Sequence, residues 1–548
     1  MAVVNFNKRL FEKEIGKVDD KMENKISLFG TPVEEITNEE VKIEVAPNRP
    51  DLLSFQGFKR SFLAYLGRKT GIKKYPIKSP EKNYSVYIDP SVNNVRPFTS
   101  CAIIKGLKLD DEKIREIIEV QEKIHFTVGR KRKKLAIGIY PLERIKLPIT
   151  YKAMNPKDIK FVPMDSEKEM SALEILKKHS KGMEYGHLLN DNEKFPAFMD
   201  SDKNILSMPP IINSDLTGKV TTATKEVFVE CSGFDYNSLE KCINMLSTMF
   251  ADMGGKIYQM NLKFKGRKKV SPNLEPEKMR LNLENANKLL GLSLNEKQAM
   301  KLLEKMGYGC RKLNSIEIPS WRTDILHEVD LIEDIAIAYG YDNFVPEIPE
   351  ISTTGQESKK ESSKRKISEI LSGLGMLEVS SYHLTNVENQ FKKMGTQKKD
   401  FVETEDSKTD YNILRKDLGH NLMRIFSENI DSEYPQKIFE IGRVFSLDAE
   451  RKINESDSLS IAISPGNFTE LKQAINYLSK MIDVDLVLKE VEDKEIPKYF
   501  VDGRVAGIFY KNKLIGYAGE IHPRILRNWK MKMPVALCEI NLDLILDN

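Results

Sequence analysis

The segment 319–342 shows a regular alternation of apolar and charged positions. Its apolar residues recur at helical spacing and predict one buried stripe: Ile325, Val329, Ile332, Ala336 and Tyr339. We expect the helix to begin near Ile325 and to end before Gly340, a residue type that commonly follows the last helical turn.

Acidic residues form a second pattern on this predicted helix. Asp330, Glu333 and Asp334 stand at positions i, i+3 and i+4, which predicts a common surface patch. Asp324 precedes the helix and could either cap it or face that patch. Carboxylate oxygens suit a hard cation such as Mg2+, but a solvated acidic face explains the same spacing. The pattern leaves both interpretations open.

Elsewhere, short strands alternate with amphipathic helices, which indicates a multidomain α+β protein, since 548 residues exceed one hydrophobic core. Four domains are predicted at 1–88, 89–265, 270–346 and 356–548. The first two are mixed α/β, the third is a small helical or winged domain that contains the acidic helix, and the fourth is mainly antiparallel α+β. A Ser- and Lys-rich linker is predicted at 355–365.

The second predicted domain contains a candidate cavity. Pro209 and Pro210 interrupt two short strands, after which Asn213 and Ser214 form a polar turn. A β-rich run then ends shortly before Asp235. Two strand ends would place small polar groups and a carboxylate around one pocket for a polar small molecule. Turn chemistry alone accounts for the same residues, so this alternative also stays open.

Apolar residues at helical spacing predict a helix at 111–126, and a run of five basic residues, GRKRKK at 129–134, lies between this helix and a strand predicted at 135–140. Such a run is usually a solvated loop, although contacts to a phosphate backbone are the functional alternative.

Net charge, cysteine usage and the length of apolar runs indicate which classes of protein this chain does not resemble. Lys and Arg number 85 against 81 Asp and Glu, so the net charge of +4 creates no strong overall field for nucleic acid. The five cysteines form no CxxC pair, which argues against a zinc site or a disulfide framework. No run approaches 18 apolar residues and the first residues lack an apolar leader pattern, so we expect a cytoplasmic protein.

Several motifs, in order along nearly the whole chain, resemble the beta-subunit family of archaeal/eukaryotic-type phenylalanyl-tRNA synthetases. They are PNRPDLLS (47–54), MPPIINS (208–214), VFVECSGFD (227–235), PSWRTDILHEVDLIEDIAIAYGYDN (319–343), NILRKDLGHNLMRIFSEN (412–429), FEIGRVF (439–445) and GEIHP (519–523).

The resemblance implies a subunit of an (αβ)2 tetramer that charges tRNA(Phe) with phenylalanine using ATP and Mg2+. The alpha subunit would carry the aminoacylation site and use the ATP, and 356–548 would be a class II synthetase-like module without that chemistry. The sequence agrees with this, because no pair of arginines suited to gripping a triphosphate flanks KIFEIGRVF at 437–445. The inserted oligonucleotide-binding fold and the anticodon-binding domain of bacterial relatives are expected to be absent.

The resemblance also implies two sets of site residues. Mg2+ shared with the alpha subunit would be bound by Asp324, Asp330, Glu333 and Asp334, although relatives often carry Glu at the last position. Domain 89–265 would be an editing domain of tRNA-binding type, which hydrolyses mischarged Tyr-tRNA(Phe) because shape alone excludes an added hydroxyl poorly.

In that editing domain Asn213, Ser214 and Asp235 would be catalytic, and Leu206, Ser207 and Asn237 would bind substrate. Asn237 departs from the hydroxyl residue expected there. The alternative to a ligase subunit with an editing site is a non-catalytic tRNA-binding or scaffold protein with synthetase-derived domains.

Overall fold

The computed structural model describes residues 2–350, 353–405, 407, 409–448, 450–492 and 496–546. The chain divides into two compact units, Met1–Glu347 and Ile348–Asn548. Among the helices of these residues, none has the length and apolar content needed to cross a membrane.

The first unit begins with a small three-stranded antiparallel sheet, of order β1-β3-β2, covered by helices. Its elements are β1 (Ala2–Asn7), α1 (Lys8–Glu14), α2 (Asp20–Leu28), β2 (Val33–Ile36), β3 (Glu40–Val45) and α3 (Phe55–Tyr65). Ser54 caps α3 by accepting from Gly57 N, and the rings of Phe6, Phe58 and Phe62 pack beneath it.

A large mixed sheet follows, with nine strands in the order β13-β12-β11-β8-β5-β15-β6-β14-β7, while β4 and β16 pair with β15 and β9 pairs with β10. The strands of the large sheet are β4 (Ile77–Lys78), β5 (Ser85–Ile88), β6 (Phe98–Lys105), β7 (Leu135–Pro141), β8 (Ile149–Met154), β11 (Phe195–Met199), β12 (Ile205–Met208), β13 (Ile212–Asn213), β14 (Glu226–Gly233), β15 (Lys256–Phe264) and β16 (Arg267–Ser271). A separate two-stranded sheet is formed by β9 (Lys160–Phe161) and β10 (Met170–Ser171). The accompanying helices are α4 (Asp111–Phe126), α5 (Ala172–Lys178), α6 (Ser180–Tyr185), α7 (Asp215–Gly218) and α8 (Tyr236–Asp252). Ile117 and Val120 of α4 share a buried cluster with Ile137 of β7 and Val229 of β14.

The first unit ends with three helices and a three-stranded sheet of order β17-β19-β18. These elements are β17 (Glu277–Met279), α9 (Leu283–Leu290), α10 (Glu296–Lys305), β18 (Gly309–Cys310), β19 (Ile316–Ile318) and α11 (Glu328–Tyr339).

Helix α11 is the predicted acidic helix, but its start and its buried face differ from the prediction. It begins three residues after Ile325, with His327 and Asp330 forming the capping box. Val329, placed in the buried stripe by its spacing, is 48% exposed, whereas Leu331 and Ile335 are buried. Ile325, Ile332 and Ala336 are buried as predicted, so the buried face is wider than the predicted stripe, and it includes Asp334.

The second unit is built on a seven-stranded sheet of order β20-β23-β24-β28-β27-β26-β25, which is antiparallel except where β20 meets β23. Its strands are β20 (Leu377–Glu378), β21 (Leu384–Thr385), β22 (Ile413–Leu414), β23 (Gln436–Leu447), β24 (Ile453–Ser464), β25 (Leu486–Lys489), β26 (Phe500–Tyr510), β27 (Lys513–Ile521) and β28 (Ala536–Asn541). Its helices are α12 (Lys359–Gly373), α13 (Gly419–Glu428), α14 (Phe468–Met481), α15 (Pro523–Asn528) and α16 (Asp543–Leu546).

The two units together confirm a mixed α+β, multidomain fold. The predicted linker at 355–365 is wrong over its second half, because α12 begins there at Lys359 with Ser358 as its cap. The likeness of 356–548 to a class II synthetase module stays a prediction.

Candidate functional site

A cavity of about 560 Å³ lies in the first unit between α4, strands β7 and β14, and the turn that joins β12 to β13. Most of its wall is apolar and includes Ile118 of α4, Ile139 of β7 and Ile211 of the turn. Polar and charged side chains complete the wall, and an apolar wall with convergent polar groups is the usual composition of a small-molecule site. The cavity is large enough for an aromatic amino-acid side chain together with the group attached to it.

Of the three carboxyl residues that line the cavity, Glu230 of β14 is buried, with 2% exposure, whereas Glu122 and Asp165 are exposed. Its Oε1 accepts a hydrogen bond of 3.3 Å from the Tyr140 hydroxyl, whereas its Oε2 has no partner among the described residues. Burial raises the pKa of Glu230 to about 8, although the charges on Arg96 and the bond from Tyr140 oppose this. The carboxyl is therefore mostly protonated near neutral pH and can both donate and accept.

Gly138 makes room for this carboxyl group. It faces Glu230 in the pairing of β7 with β14. A methyl group added at Gly138 would lie 2.5 Å from Glu230 Oε1 and 2.2 Å from the Tyr140 hydroxyl oxygen. Only glycine fits there without displacing one of the two polar groups.

Asn213, on strand β13, adds a second polar side chain to the cavity wall. The Tyr140 hydroxyl oxygen lies 3.4 Å from Asn213 Oδ1 and 3.3 Å from Glu230 Oε1, so its single proton can be donated to either of these two acceptors. Ser207 faces Asn213 in the register of β12 with β13, and its buried hydroxyl has no partner within the described parts of the chain. The cavity thus contains an amide and a protonated carboxyl that share one tyrosine hydroxyl as a donor.

His125 also lines the cavity, but its basic nitrogen is already used. Nε2 accepts from Ile137 N at 2.8 Å, and burial lowers the pKa of the imidazole. The ring is therefore neutral and supports β7 rather than acting as a base.

The structure groups some of the predicted editing residues and separates others. Leu206, Ser207, Asn213 and Ser214 lie together on β12, β13 and the residue that follows, and of these Asn213 lines the cavity. Ser214 is buried and its amide donates to Leu206 O. Asp235 and Asn237 do not line this cavity.

Asp235 instead caps helix α8. Its carboxylate accepts from Ser238 Oγ at 2.6 Å and from Ser238 N at 2.8 Å, and these bonds lower its pKa. The register places Glu230, and not Asp235, in the wall of this cavity, and the catalytic role of Asp235 stays a prediction. A single acidic residue inside the apolar run 227–231 was the available signal, because an isolated buried carboxyl needs a reason.

The four carboxylates predicted to bind Mg2+ are engaged by different partners within this chain. Arg322, itself buried, binds Asp324 through two bonds of 2.7 and 2.8 Å and Asp334 through one of 2.8 Å. Although burial opposes it, this guanidinium lowers the pKa of Asp324. Tyr308 donates to Asp334 at 2.5 Å as well.

The other two carboxylates have different surroundings. Asp330 accepts from the amides of Leu326 and His327, both at 2.7 Å, and Glu333 is exposed to solvent. No group of three or more His, Cys, Asp or Glu side chains that could hold a metal ion occurs within the described ranges. Two of the four carboxylates are neutralised by Arg322, so these residues by themselves do not fit Mg2+.

In the second unit, the buried arginine beside β23 is fully engaged. Arg415 Nη1 binds Glu440 at 2.5 Å and the Ser381 hydroxyl at 3.0 Å, and its Nε donates to the carbonyl of Arg443 at 2.7 Å. A guanidinium held in this way is not free to bind a triphosphate.

Comparisons with known proteins identify the family. Residues 345–542 match the model of the phenylalanyl tRNA synthetase beta chain CLM domain, and residues 279–341 match that of the tRNA synthetase B5 domain. The chain is 39% identical to the phenylalanine--tRNA ligase beta subunit of Pyrococcus abyssi over 503 residues, which covers 90% of this chain and 89% of the relative. It is 35% identical to the phenylalanine--tRNA ligase beta subunit of Archaeoglobus fulgidus, and this match covers 100% of this chain and 99% of the relative.

A solved N-terminal fragment of the phenylalanyl-tRNA synthetase beta-subunit from Pyrococcus horikoshii superposes with a TM-score of 0.59 at 37% identity. The superposition covers 62% of this chain and 99% of the fragment. With relatives above 30% identity along most of its length, the chain belongs to the family of phenylalanine–tRNA ligase beta subunits of archaeal type.

Proposed function

We propose that this chain is the beta subunit of a phenylalanine–tRNA ligase that forms an (αβ)2 tetramer. In this assembly the alpha subunit attaches phenylalanine to tRNA(Phe) with ATP, and the beta subunit supports that reaction. Family membership supports this role, as does the engagement of Arg415 by Glu440 in the second unit. We assign no residue of this chain to a metal ion.

We propose further that the cavity around Glu230 hydrolyses tyrosine mischarged onto tRNA(Phe). The observation that carries this assignment is a buried carboxyl group in a largely apolar cavity, one of whose oxygens has no hydrogen-bond partner in the described part of the chain. A phenolic hydroxyl placed there would accept a hydrogen bond from the Glu230 carboxyl group or donate one to it. A phenylalanine ring would leave the buried carboxyl without that bond, which costs about 1–3 kcal/mol.

Asn213 would position the ester in this cavity. Its Oδ1 is an acceptor within reach of the Tyr140 hydroxyl, and its amide nitrogen is the donor that can bind the ester carbonyl oxygen. A hydrogen bond to that oxygen is strongest when negative charge develops on it during attack by water. Ser214 supports the strand that carries Asn213 through the bond from its amide to Leu206 O.

The proposal is tested with the chain co-expressed with its alpha partner. Glu230→Ala should slow deacylation of Tyr-tRNA(Phe) by roughly 10- to 100-fold, which corresponds to the loss of a hydrogen bond to a buried group. Phenylalanylation should be unchanged. Glu226→Ala on the same strand β14 is the matched control, because Glu226 is partly exposed and does not line the cavity.

Two results would contradict the proposal. Normal deacylation by Glu230→Ala would remove the editing assignment. Equal phenylalanylation by the alpha subunit alone would remove the ligase-subunit role and favour a non-catalytic scaffold.

A further inference from the structure

The basic loop, defined as Gly129–Lys134, has an unusual backbone. Arg130, Lys131 and Arg132 have φ values of 47°, 52° and 66°, so three consecutive non-glycine residues adopt the left-handed conformation. Side chains at such φ values cost conformational free energy, and such strain concentrates at functional sites. Arg130 and Lys131 are exposed, so their burial in a core does not explain the strain.

Backbone hydrogen bonds hold this loop in one conformation. Arg132 N donates to His125 O at 3.0 Å, and Lys134 N donates to Gly129 O at 2.8 Å. A methyl group at Gly129 would lie 2.6 Å from His125 O, so glycine is required at the base of the loop. The exposed basic groups therefore project from a fixed scaffold.

Arg132 connects the loop to the cavity. Its Nη1 donates to Ile211 O at 2.8 Å and its Nη2 to Glu122 at 2.9 Å, while its guanidinium lies 4.5 Å from the centre of the Tyr185 ring. Arg132 and Ile211 both line the cavity. The loop is thus part of the same structure that forms the cavity wall.

Exposed aromatic rings stand beside the loop. Phe126, the last residue of α4, is 64% exposed, and Lys131 Nζ lies 5.9 Å from its ring centre. Phe234 is 53% exposed and follows Gly233, which pairs with Leu135 directly after the loop. Large exposed rings next to cations are typical of surfaces that bind single-stranded nucleic acid by base stacking and phosphate contacts.

We propose that the basic loop, together with Phe126 and Phe234, is a docking surface for the single-stranded 3′ end of an RNA. The inference rests on the proposed editing function, because the docked strand would deliver its terminal ester into the Glu230 cavity. Arg130 and Lys131 would contact phosphates, and Phe126 would stack on a base.

The charges around the basic loop are consistent with contacts between its cations and phosphates. Glu122 is bound by Arg132, and Asp235 is bound by Ser238 with Lys134 nearby. These carboxylates are thus partnered within the protein, and the loop contributes more cations than they offset. The association constant for RNA should fall as the salt concentration rises. The slope of its logarithm against the logarithm of the salt concentration should be about −0.7 for each phosphate contact on a single strand.

The test uses the alpha–beta complex and a fluorescent single-stranded RNA dodecamer. Lys131→Gly removes the charge and places glycine where the backbone is left-handed, so its melting temperature should equal or exceed that of the wild type. Its affinity for the RNA should nevertheless fall by roughly 3- to 10-fold, and its salt slope should become shallower by about 0.7. Phe126→Ala should weaken binding by about 10-fold.

Lys265→Gly is the matched control, since Lys265 is an exposed lysine next to Gly266 in the turn between β15 and β16. It should bind the dodecamer like the wild type. Binding by Lys131→Gly and Phe126→Ala that matches this control would overturn the proposal, as would a wild-type complex that does not bind the dodecamer.

Deacylation kinetics separate this proposal from the editing function itself. With Tyr-tRNA(Phe), the loop variants should raise KM by roughly 3- to 10-fold and leave kcat within about twofold, because they alter docking and not the cavity. If the wild type does not deacylate this substrate, the editing function fails and the dodecamer measurement alone decides the docking surface. If the wild type deacylates and the variants keep its KM, the docking surface fails and editing stands.

Discussion

Glu230, Tyr140 and Gly138 form a small unit whose parts depend on one another. The carboxyl is buried, one of its oxygens has no partner within the described residues, and the facing glycine leaves the space that both polar groups need. Such an arrangement costs stability, because a buried polar group without a partner keeps its desolvation penalty. A bound ligand that donates or accepts a hydrogen bond at this Glu230 oxygen would account for the arrangement.

The raised pKa of Glu230 predicts a pH dependence of stability. Its folded pKa of about 8 exceeds the ordinary value of 4.5, so the unfolded chain loses this proton first as the pH rises. The wild-type free energy of unfolding should therefore fall relative to that of Glu230→Gln between about pH 4.5 and 8, and level off above that range. Urea unfolding of both proteins across this range measures the difference. A difference that does not change with pH would contradict the raised pKa.

Helix α11 shows how one element distributes acidic residues that look equivalent in sequence. Asp330 caps the helix, Glu333 faces solvent, and Asp334 is buried against Arg322 and Tyr308. Spacing alone predicts a common patch, but the buried face of α11 extends beyond the predicted stripe to Leu331 and Ile335 and includes Asp334.

Substitutions at two neighbouring positions on α11 should differ strongly in effect. Asp334→Ala should lower the free energy of unfolding by about 2–4 kcal/mol, because Arg322 stays buried with one partner fewer. Glu333→Ala should change it by less than about 0.5 kcal/mol, as is usual for surface positions. Chemical denaturation of both variants measures this. Equal effects would argue that the two carboxylates share a role, such as binding one metal ion.

Helix α12 begins within a polar segment that the sequence analysis predicts to be a linker. Ser358 caps the helix, and Arg365 pairs with Glu369 one turn later at 3.1 Å. Ile367 and Leu371 are buried on its inner face. Its first half is polar because it is exposed, and local caps and ion pairs suffice to continue the helix there.

Each of the two units of the chain contains hydrophobic clusters of its own. One large cluster is formed by residues between Val4 and Ala338, and another by residues between Ile367 and Leu542. The two tryptophans of the sequence report on different units, since Trp321 is buried in the first and Trp529 in the second.

Unfolding of the isolated chain should therefore show two transitions. Trp529→Phe leaves fluorescence from the first unit, and Trp321→Phe leaves fluorescence from the second. Because each unit has its own core, the two urea midpoints should differ. Far-ultraviolet circular dichroism of each variant serves as the control for an altered fold. Coincident midpoints for both probes would show that the units unfold as one.

Several features follow from local pattern and needed no tertiary information. Helix α4 is found at Asp111–Phe126, as its apolar spacing predicts, and the prolines at 209 and 210 separate β12 from β13 as expected. The order of motifs along the chain identified the family, which the relatives confirm. These features are readable because helical periodicity, proline geometry and motif order are properties of short stretches.

The cavity depended on contacts between distant parts of the chain. Glu230, Tyr140 and Asn213 are joined only through the pairing of β14 with β7 and the turn after β12. Asp235 and Glu230 are five positions apart, and nothing local distinguishes a helix cap from a buried carboxyl at the wall of a cavity. Register and burial made that distinction, because they determine which carboxyl loses its water and which keeps it.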